Sequence, residues 1–421
     1  MFTIARLQRM RDDTRGTVAI IFAICLFGLV MALGLAIDIG RAIHTKTKVA
    51  SAADAAALAA AKSLHESDGA DVAAIARRFF DVNVGADGTN FGSISTFEVN
   101  VDKARSTVTI AVTADVPTTF ARVGGFQNIS LPTTAAAAFN PKDIEVSLSL
   151  DLTGSMCNPC SKVEDLKVAA RDMVDILLPA GKAQNNKVRV ALAPFAAGVN
   201  AGSYARAATN DRSRDNCTFE RNSADPASEA APGSGGFLKV AGDSGVADTR
   251  NNCPSGAQVT ALTDDAWALK TEIGQLRTGG STAGHLGTAW AWYLVSPDWG
   301  GVWPSPSRPA EYRDGKTVKA VVLMTDGVYN TFGGACDRDC SNRSTQARNS
   351  QDLARRLCRN MKDKNVVVYS VGFMLDDATA EAVLEECATS ATTFYRAENG
   401  TQLRQAFRDI AEDLMRLRLS R

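Results

Sequence analysis

Residues 144–155 read IEVSLSLDLTGS, and the chain's architecture can be worked out from this stretch. An apolar strand, 144–151, ends on Asp151 and enters a turn carrying Thr153 and Ser155, and a helix is expected near Lys162–Leu178. The same alternation recurs downstream. Strands are expected at KVRVALAPF (187–195), KAVVLMTD (319–326), NVVVYSVGF (365–373) and, briefly, near Thr393–Arg396. Helices are expected near Asp264–Leu276, Ala283–Leu294, 350–363, 377–387 and Thr401–Leu417. Apolar strands alternating with amphipathic helices imply a parallel sheet covered on both faces, an α/β doubly wound fold. Residues 200–262 break the rhythm and are rich in Gly, Ser, Asn and Asp. A structureless loop of that length is improbable, so they read as an insertion stapled by Cys217 and Cys253.

In an open α/β sheet, ligands bind outside the carboxyl ends of the strands. Asp151, Thr153 and Ser155 all fall at such an end, on one tight turn. One carboxylate and two hydroxyls at alternate positions suit a hard divalent cation, which takes oxygen ligands and keeps several waters. Mg²⁺ fits best, with Mn²⁺ or Ca²⁺ as alternatives. Thr and Ser capping a helix would account for the same turn without a metal. Two further elements favour the cation. The strand ending at Thr325-Asp326-Gly327 brings a second carboxylate to the same sheet edge, and Gly279-Gly280-Ser281-Thr282 opens a helix with a third hydroxyl.

Together these segments resemble the metal-ion-dependent adhesion site (MIDAS) of the von Willebrand factor A-like (vWA) family, DxSxS…T…D. The resemblance makes Asp151, Thr153, Ser155, Thr282 and Asp326 the candidate ligands or supporting groups. Thr153 stands where the family more often has Ser, which keeps the hydroxyl. Thr282 is preferred to Thr278 and Ser281 because its spacing to Gly287 matches the family's T-x4-G pattern. The resemblance implies a metal with an open position that an acidic side chain of a partner fills, so that binding occurs with no bond made or broken.

Upstream, Val18 to Ile37 (VAIIFAICLFGLVMALGLAI) carries no charge over about 20 residues, enough for a helix to cross a hydrocarbon core roughly 30 Å thick. A cleaved signal peptide would have a shorter apolar region and a small-residue cleavage site. Here the run passes into an Ala-rich helical pattern, GRAIHTKTKVASAADAAALAAAKSL (40–64), and reads as a retained anchor. Arg6, Arg9, Arg11 and Arg15 precede the span, placing the N-terminus in the cytoplasm and the rest outside. Arg41, Lys46 and Lys48 on the far side work against this placement but form a sparser cluster. Val49, Ala53, Ala56 and Ala60 lie on one helical face that could meet another helix, the chain's own domain or a partner, the alternative being a solvated spacer. A second short helix, Ala70–Phe80, precedes a hairpin in which Phe97, Val99 and Val101 alternate with polar residues before a Lys103-Ala104-Arg105 turn, and Val108, Ile110 and Val112 alternate with Thr109, Ala111 and Thr113 after it.

The segment RGTVAIIFAICLFGLVMALGLAIDIGRA with KTKVASAADAAALAAA resembles the anchor of TadG-like proteins of the tight-adherence (Flp) pilus assembly system. That resemblance implies an N-terminal anchor joined to a C-terminal vWA domain in a bacterial inner-membrane protein whose bulk is periplasmic. The expected division is a cytoplasmic tail (1–16), a transmembrane helix (17–39), an Ala-rich stalk (40–65), a small α+β module (66–141) and a vWA-like, Rossmann-like domain (142–421). Expected partners are proteins, other pilus-assembly or envelope components, together with the membrane. A scaffold whose metal site merely stabilises the fold is the alternative.

Composition excludes other classes. Lys+Arg and Asp+Glu are both 46, so no basic field points to nucleic acid. No G-x-S-x-G, HExxH or P-loop pattern occurs, and the three histidines, His44, His65 and His285, form no constellation. His285, at a helix start, reads as a surface residue. No enzymatic activity and no small-molecule substrate are expected. Of nine cysteines, Cys25 lies in the apolar span, where it acts as a small apolar residue. Cys157, Cys160, Cys217, Cys253, Cys336, Cys340, Cys358 and Cys387 form an even set suited to disulfides outside the cytoplasm. Sequence neighbours would pair 157–160, 217–253, 336–340 and 358–387. Cys157-Asn-Pro-Cys160 also has the form of a redox or half-zinc motif, but Cys336-x3-Cys340 has the wrong spacing and no nearby His to complete a site.

Overall fold

The structure is a computed structural model that describes residues 15–66, 71–88, 92–102, 106–138, 142–180, 187–233, 235–247, 253–254, 256–336 and 340–419. Arg6, Arg9 and Arg11, and the Lys103-Ala104-Arg105 turn, lie outside the described residues. The chain divides into two compact units, Met1–Asn140 and Pro141–Arg421.

In the first unit the apolar run and the Ala-rich segment form one helix, α1 (Arg15–Glu66). It changes character along its length. Val18 to Leu33 leave their apolar side chains largely exposed, whereas Val49, Ala52, Ala53, Ala56, Ala57, Ala60 and Ala61 are buried. Helix α2 (Val72–Gly88) continues past the expected end at Phe80 and contains a non-helical Gly85 at φ 64°. Strands β1 (Ser93–Asp102), β2 (Thr107–Pro117) and β3 (Asn128–Ala138) form an antiparallel sheet in the order β1-β2-β3. Alternate residues of β2 (Val108, Ile110, Val112, Ala114, Val116) are at most 2% exposed. The small-residue face of α1 packs on β2, β3 and α2, so of the three partners left open by the sequence, one is the chain's own domain. Ala suits this contact because it lets the helix backbone approach the sheet with little lost side-chain entropy.

Strand β3 is absent from the sequence reading. Its residues NISLPTTAAAA contain Pro132 and four alanines, which argue against a strand. It forms because it lies at the sheet edge, where a missing N–H is tolerated, and pairs with β2 along its whole length, Thr107 with Ala138 through Pro117 with Asn128.

The second unit is the expected doubly wound α/β fold. Its elements are β4 (Asp143–Asp151), α3 (Ser161–Leu177), β5 (Val188–Phe195), β6 (Thr260–Thr263), α4 (Ala266–Gln275), α5 (Gly284–Val295), β7 (Thr317–Thr325), α6 (Thr345–Asp363), β8 (Val367–Phe373), α7 (Ala378–Cys387), β9 (Phe394–Ala397) and α8 (Gly400–Leu419). The sheet order is β9-β8-β7-β4-β5-β6, parallel throughout except for the antiparallel edge strand β6. Alternate residues of each strand enter different cores. Val146, Leu148, Leu150, Val322 and Met324 pack with α3, α4 and α8, while Val321 and Leu323 pack with α5 and α6. Burial on both faces is why these strands read as apolar runs. Helix α6 starts at Thr345, earlier than the expected 350, because the Ser344 side chain caps it by accepting the Ala347 N–H at 3.0 Å.

The segment between β5 and β6 is packed in place. Phe219, Ala227, Leu238 and Val246 are buried in the core with α5, and the Trp290 indole N–H donates to Thr218 Oγ1 at 3.1 Å. Residues 260–262, expected to close the insertion, belong to β6 instead. Cysteines are paired 157–160, 217–253, 336–340 and 358–387, the last pair joining α6 to α7, and Cys25 is free and exposed.

Candidate metal centre

Strands β4 and β7 are parallel neighbours with Leu150 opposite Met324, so Asp151 and Thr325 emerge side by side at the carboxyl end of the sheet. Asp151 is fully buried. Its Oδ1 accepts the Thr153 backbone N–H at 2.8 Å and its Oδ2 accepts the Thr325 hydroxyl at 2.5 Å. The turn that follows curls over it. Thr153 Oγ1 and Ser155 Oγ are 2.9 Å apart, and Ser155 Oγ donates to Asp326 Oδ1 at 2.6 Å. Thr153, Ser155 and Asp326 thus form one hydrogen-bonded chain of oxygens beside Asp151, on elements 171 residues apart.

The Gly-rich turn closes against this loop. Gly279 N donates to Leu152 O at 2.8 Å, and Gly154 N donates to Gly280 O at 2.9 Å. Gly280 has a φ of 81°, in the left-handed region that glycine adopts without strain. Thr282 is buried and held through its backbone, its N–H donating to Asn330 Oδ1 at 3.0 Å and its carbonyl accepting from Asn330 N and Thr331 N. Its hydroxyl makes no hydrogen bond to the other four candidate residues. Gly287, which completes the spacing that singled out Thr282, lies where a Cβ would come within 2.3 Å of the Phe195 ring and 2.6 Å of Ser149 Oγ. A side chain there would drive α5 off the sheet.

Two contributors escaped the sequence reading. Thr325 holds Asp151, as above. Lys162, in the first turn of α3, donates from Nζ to Asp326 Oδ2 at 2.9 Å, with its side chain 12% exposed and that of Asp326 fully buried. Only its position one turn after the D-x-T-G-S segment could have marked it. Burial, and then the charge of Asp326, push the Asp151 carboxyl up to about 7. Tyr329 lies nearby, its phenol pushed up first by burial and then by the Asp151 charge. Two buried carboxylates that repel each other, flanked by hydroxyls, constitute a donor set short of positive charge. A divalent cation meets that need, since oxygen ligands and retained waters suit Mg²⁺. Among the described residues there is no group of three or more His, Cys, Asp or Glu that could hold a metal, so any cation here would depend on hydroxyls as well as carboxylates.

His285 is not a surface residue as expected but is fully buried. Its Nδ1 lies 2.7 Å from Ser350 Oγ and its Nε2 2.8 Å from Glu220 Oε1, which also accepts the Gly333 N–H at 2.8 Å. Ser350 is likewise fully buried. This Ser-His-Glu network ties the β5–β6 segment to α5 and α6 and offers no open face to a substrate.

Residues 16–63 match a family described as putative Flp pilus-assembly TadE/G-like. The match covers the whole apolar part of α1 and most of its small-residue face, and together with the exposed apolar surface of that helix it supports single-pass membrane anchoring. No match is found among curated proteins. Among solved structures, the chain is similar to the pilus adhesin SpaC from Lactobacillus rhamnosus GG, with 13% identity and a TM-score of 0.40 over 79% of this chain. It spans only 35% of the SpaC chain. It is also similar to the vWF domain of the type V pili tip protein Mfa5 from Porphyromonas gingivalis, with 13% identity and a TM-score of 0.41, covering 67% of this chain and 97% of that one. A third likeness is to proximal thread matrix protein 1 from the mussel byssus with a zinc-occupied MIDAS motif, with 12% identity and a TM-score of 0.34, covering 65% and 46% of the two chains.

Proposed function

We propose that this chain is a membrane-anchored component of Flp (tight adherence) pilus assembly or adherence. In this reading it binds a protein partner through a divalent cation held by Asp151, Thr153, Ser155, Thr282 and Asp326. The observation that carries the reading is the convergence of Asp151 and Asp326 with the Thr153 and Ser155 hydroxyls at the carboxyl ends of two adjacent parallel strands. A cation there would supply an open Lewis-acid position for an acidic side chain of the partner, another pilus-assembly or envelope component. The chain's own residues would hold the cation, relieve their mutual repulsion and keep the surrounding turn rigid. The TadE/G-like match supports the pilus setting, and the exposed apolar surface of α1 supports the anchor. The bacterial inner membrane, a cytoplasmic N-terminus, a periplasmic bulk, Mg²⁺ as the cation, the four cysteine pairs as oxidised structural bonds and the absence of catalysis belong to the same proposal. The test is partner capture from membranes with and without a chelator. Capture that is indifferent to the chelator would remove the cation from the reading.

Lys162 favours a second reading, a scaffold whose centre needs no metal. Its ammonium already neutralises Asp326. The two readings predict different results for Lys162→Gln. If the centre takes a divalent cation, removing a competing positive charge a few ångströms away raises Mg²⁺ affinity about tenfold, equal to about 1.4 kcal/mol. Calorimetric titration of the purified chain reads this directly. If the lysine is the centre's own cation, the variant loses thermal stability and gains no Mg²⁺ binding.

A further inference from the structure

The loop joining β2 to β3 meets α1 inside the uncharged run. Asp38 Oδ1 accepts the backbone N–H of Thr119 at 3.0 Å, and Oδ2 accepts those of Phe120 at 2.8 Å and Ala121 at 2.9 Å. Arg41 Nη1 donates to Thr119 Oγ1 at 3.2 Å. Phe120 reaches further back along the helix. A Cβ at Gly34 would sit 2.1 Å from its ring, so the ring lies directly on the bare backbone of that glycine. Gly34 precedes Asp38 by four residues, about 6 Å along the helix axis. The loop therefore extends about one helical turn below Asp38, the first charged residue after the apolar run of α1.

Beyond Phe120 a single 3₁₀ turn, Ala121–Gly124, reverses the chain, closed by Gly125 at φ 93°. It presents Val123 and Phe126, which are 71% and 70% exposed. Val30, Leu33 and Leu35 on the anchor helix are likewise exposed. The loop backbone is arranged as a low-dielectric setting demands, where an unpaired N–H is costly. Besides the three N–H groups that Asp38 accepts, Val123 N donates to Phe120 O, Gly125 N to Arg122 O and Phe126 N to Ala121 O. Thr118 N donates to Gln127 O, and its hydroxyl donates to the carbonyls of Phe126 and Gln127.

We infer that residues 119–126 form a second membrane contact, with Phe120, Val123 and Phe126 seated in the lipid of the leaflet at which α1 leaves the bilayer. A reach of about 6 Å lies within the depth of roughly 5–10 Å at which interfacial segments embed their apolar faces. Asp38 and Arg41 then mark the boundary, and the exposed Arg122 extends along its aliphatic stem to the headgroups. The contact fixes the rotation of α1 about its axis and holds the small sheet against the membrane surface. It rests on the reading of α1 as a membrane anchor.

The test uses the full chain reconstituted in phosphatidylcholine vesicles carrying bromines at defined acyl positions, which quench nearby tryptophans. Phe126→Trp and Leu29→Trp are each compared with the unsubstituted chain, whose five tryptophans give a common background. The emission added by Phe126→Trp should fall at least about twofold with bromines near the headgroup, and that added by Leu29→Trp with bromines near the bilayer centre. Quenching at residue 29 without quenching at residue 126 overturns the loop contact and leaves the anchor standing. If neither added emission is quenched, the anchor reading fails and the loop contact fails with it. Gly34→Leu in the Phe126→Trp background supplies an independent readout. Displacing the Phe120 ring should lift the loop and restore the residue 126 emission, and persistent quenching would mean that the loop does not dock through Gly34.

Discussion

A chain carrying Asp151→Ala and Asp326→Ala is expected to lose cation-dependent partner capture by at least about 100-fold, because it loses both carboxylates that the described residues bring to the centre. Loss of groups that merely orient metal ligands typically costs 10–100-fold, and removing the charged ligands themselves should cost more. The fold should survive. Burial and then the Asp326 charge push Asp151 upward, so removing both carboxylates relieves that cost and partly offsets the lost hydrogen bonds from Thr153 N, the Thr325 hydroxyl, the Ser155 hydroxyl and Lys162 Nζ. Should the Ala variant fail to fold, Asp151→Asn with Asp326→Asn removes both charges and keeps one amide oxygen at each position to accept one of its two donors. Binding of a partner or Mg²⁺ at wild-type strength by a folded double variant of either kind would end the proposal. Circular dichroism and pull-down from membranes, with and without chelator, provide the two measurements.

The second large effect is expected at the opposite end of the same strand. Glu145, Arg189 and Lys319 occupy one row across β5, β4 and β7, with Glu145 paired in register with both neighbours. Glu145 Oε2 accepts from Lys319 Nζ at 2.5 Å, and Oε1 accepts from Arg189 and from the Ala310 N–H at 2.8 Å. Lys319 is 4% exposed, and burial lowers its ammonium below the usual range against the opposing pull of Glu145. Glu145→Ala leaves that ammonium buried with no carboxylate beside it, held by the Val295 carbonyl at 2.9 Å and the face of the Tyr312 ring at 5.5 Å. Breaking a buried pair in this way costs about 3–5 kcal/mol. Denaturant unfolding of the second unit, followed by tryptophan emission, should show this as a lower midpoint. Glu145→Leu combined with Lys319→Met should recover most of the loss, since apolar replacement of a buried pair is often neutral. A cost below about 1 kcal/mol for Glu145→Ala would mean that Lys319 escapes to solvent.

Glu145 also shows where reading the sequence stops. Within IEVSLSLD it looks like a lapse in an apolar strand, and Arg189 and Lys319 look the same in their own strands. Each is explained only by the register that sets them side by side. The same limit applies at the candidate metal centre. Asp151, Thr153 and Ser155 were legible because they lie on one turn, and Asp326 because it ends a strand of the same kind. Thr325 and Lys162 act on those carboxylates across separations of 174 and 164 residues, and apart from the place of Lys162 after the D-x-T-G-S segment no local pattern marks either. His285 was misread for the same reason, since its partners Glu220 and Ser350 are each 65 residues away.

What the sequence determined by itself is whatever a single segment must satisfy alone. An uncharged run of about 20 residues makes one helix that can cross a membrane. Strands buried on both faces must be apolar throughout, and helices between them must be amphipathic, so the alternation and hence the α/β fold are written in the order of residues. Tertiary structure decided whatever depends on a partner. The alanines of α1 and of β3 are chemically alike, yet one set is helical and the other extended, because β3 has β2 to pair with along its whole length and α1 has a sheet on which to lay its face. The stretch 144–155 divides in the same way. Its strand and its turn follow from its own residues, while the roles of Glu145 and Asp151 follow from the neighbouring strands, whose charges and hydroxyls meet theirs in a low-dielectric interior.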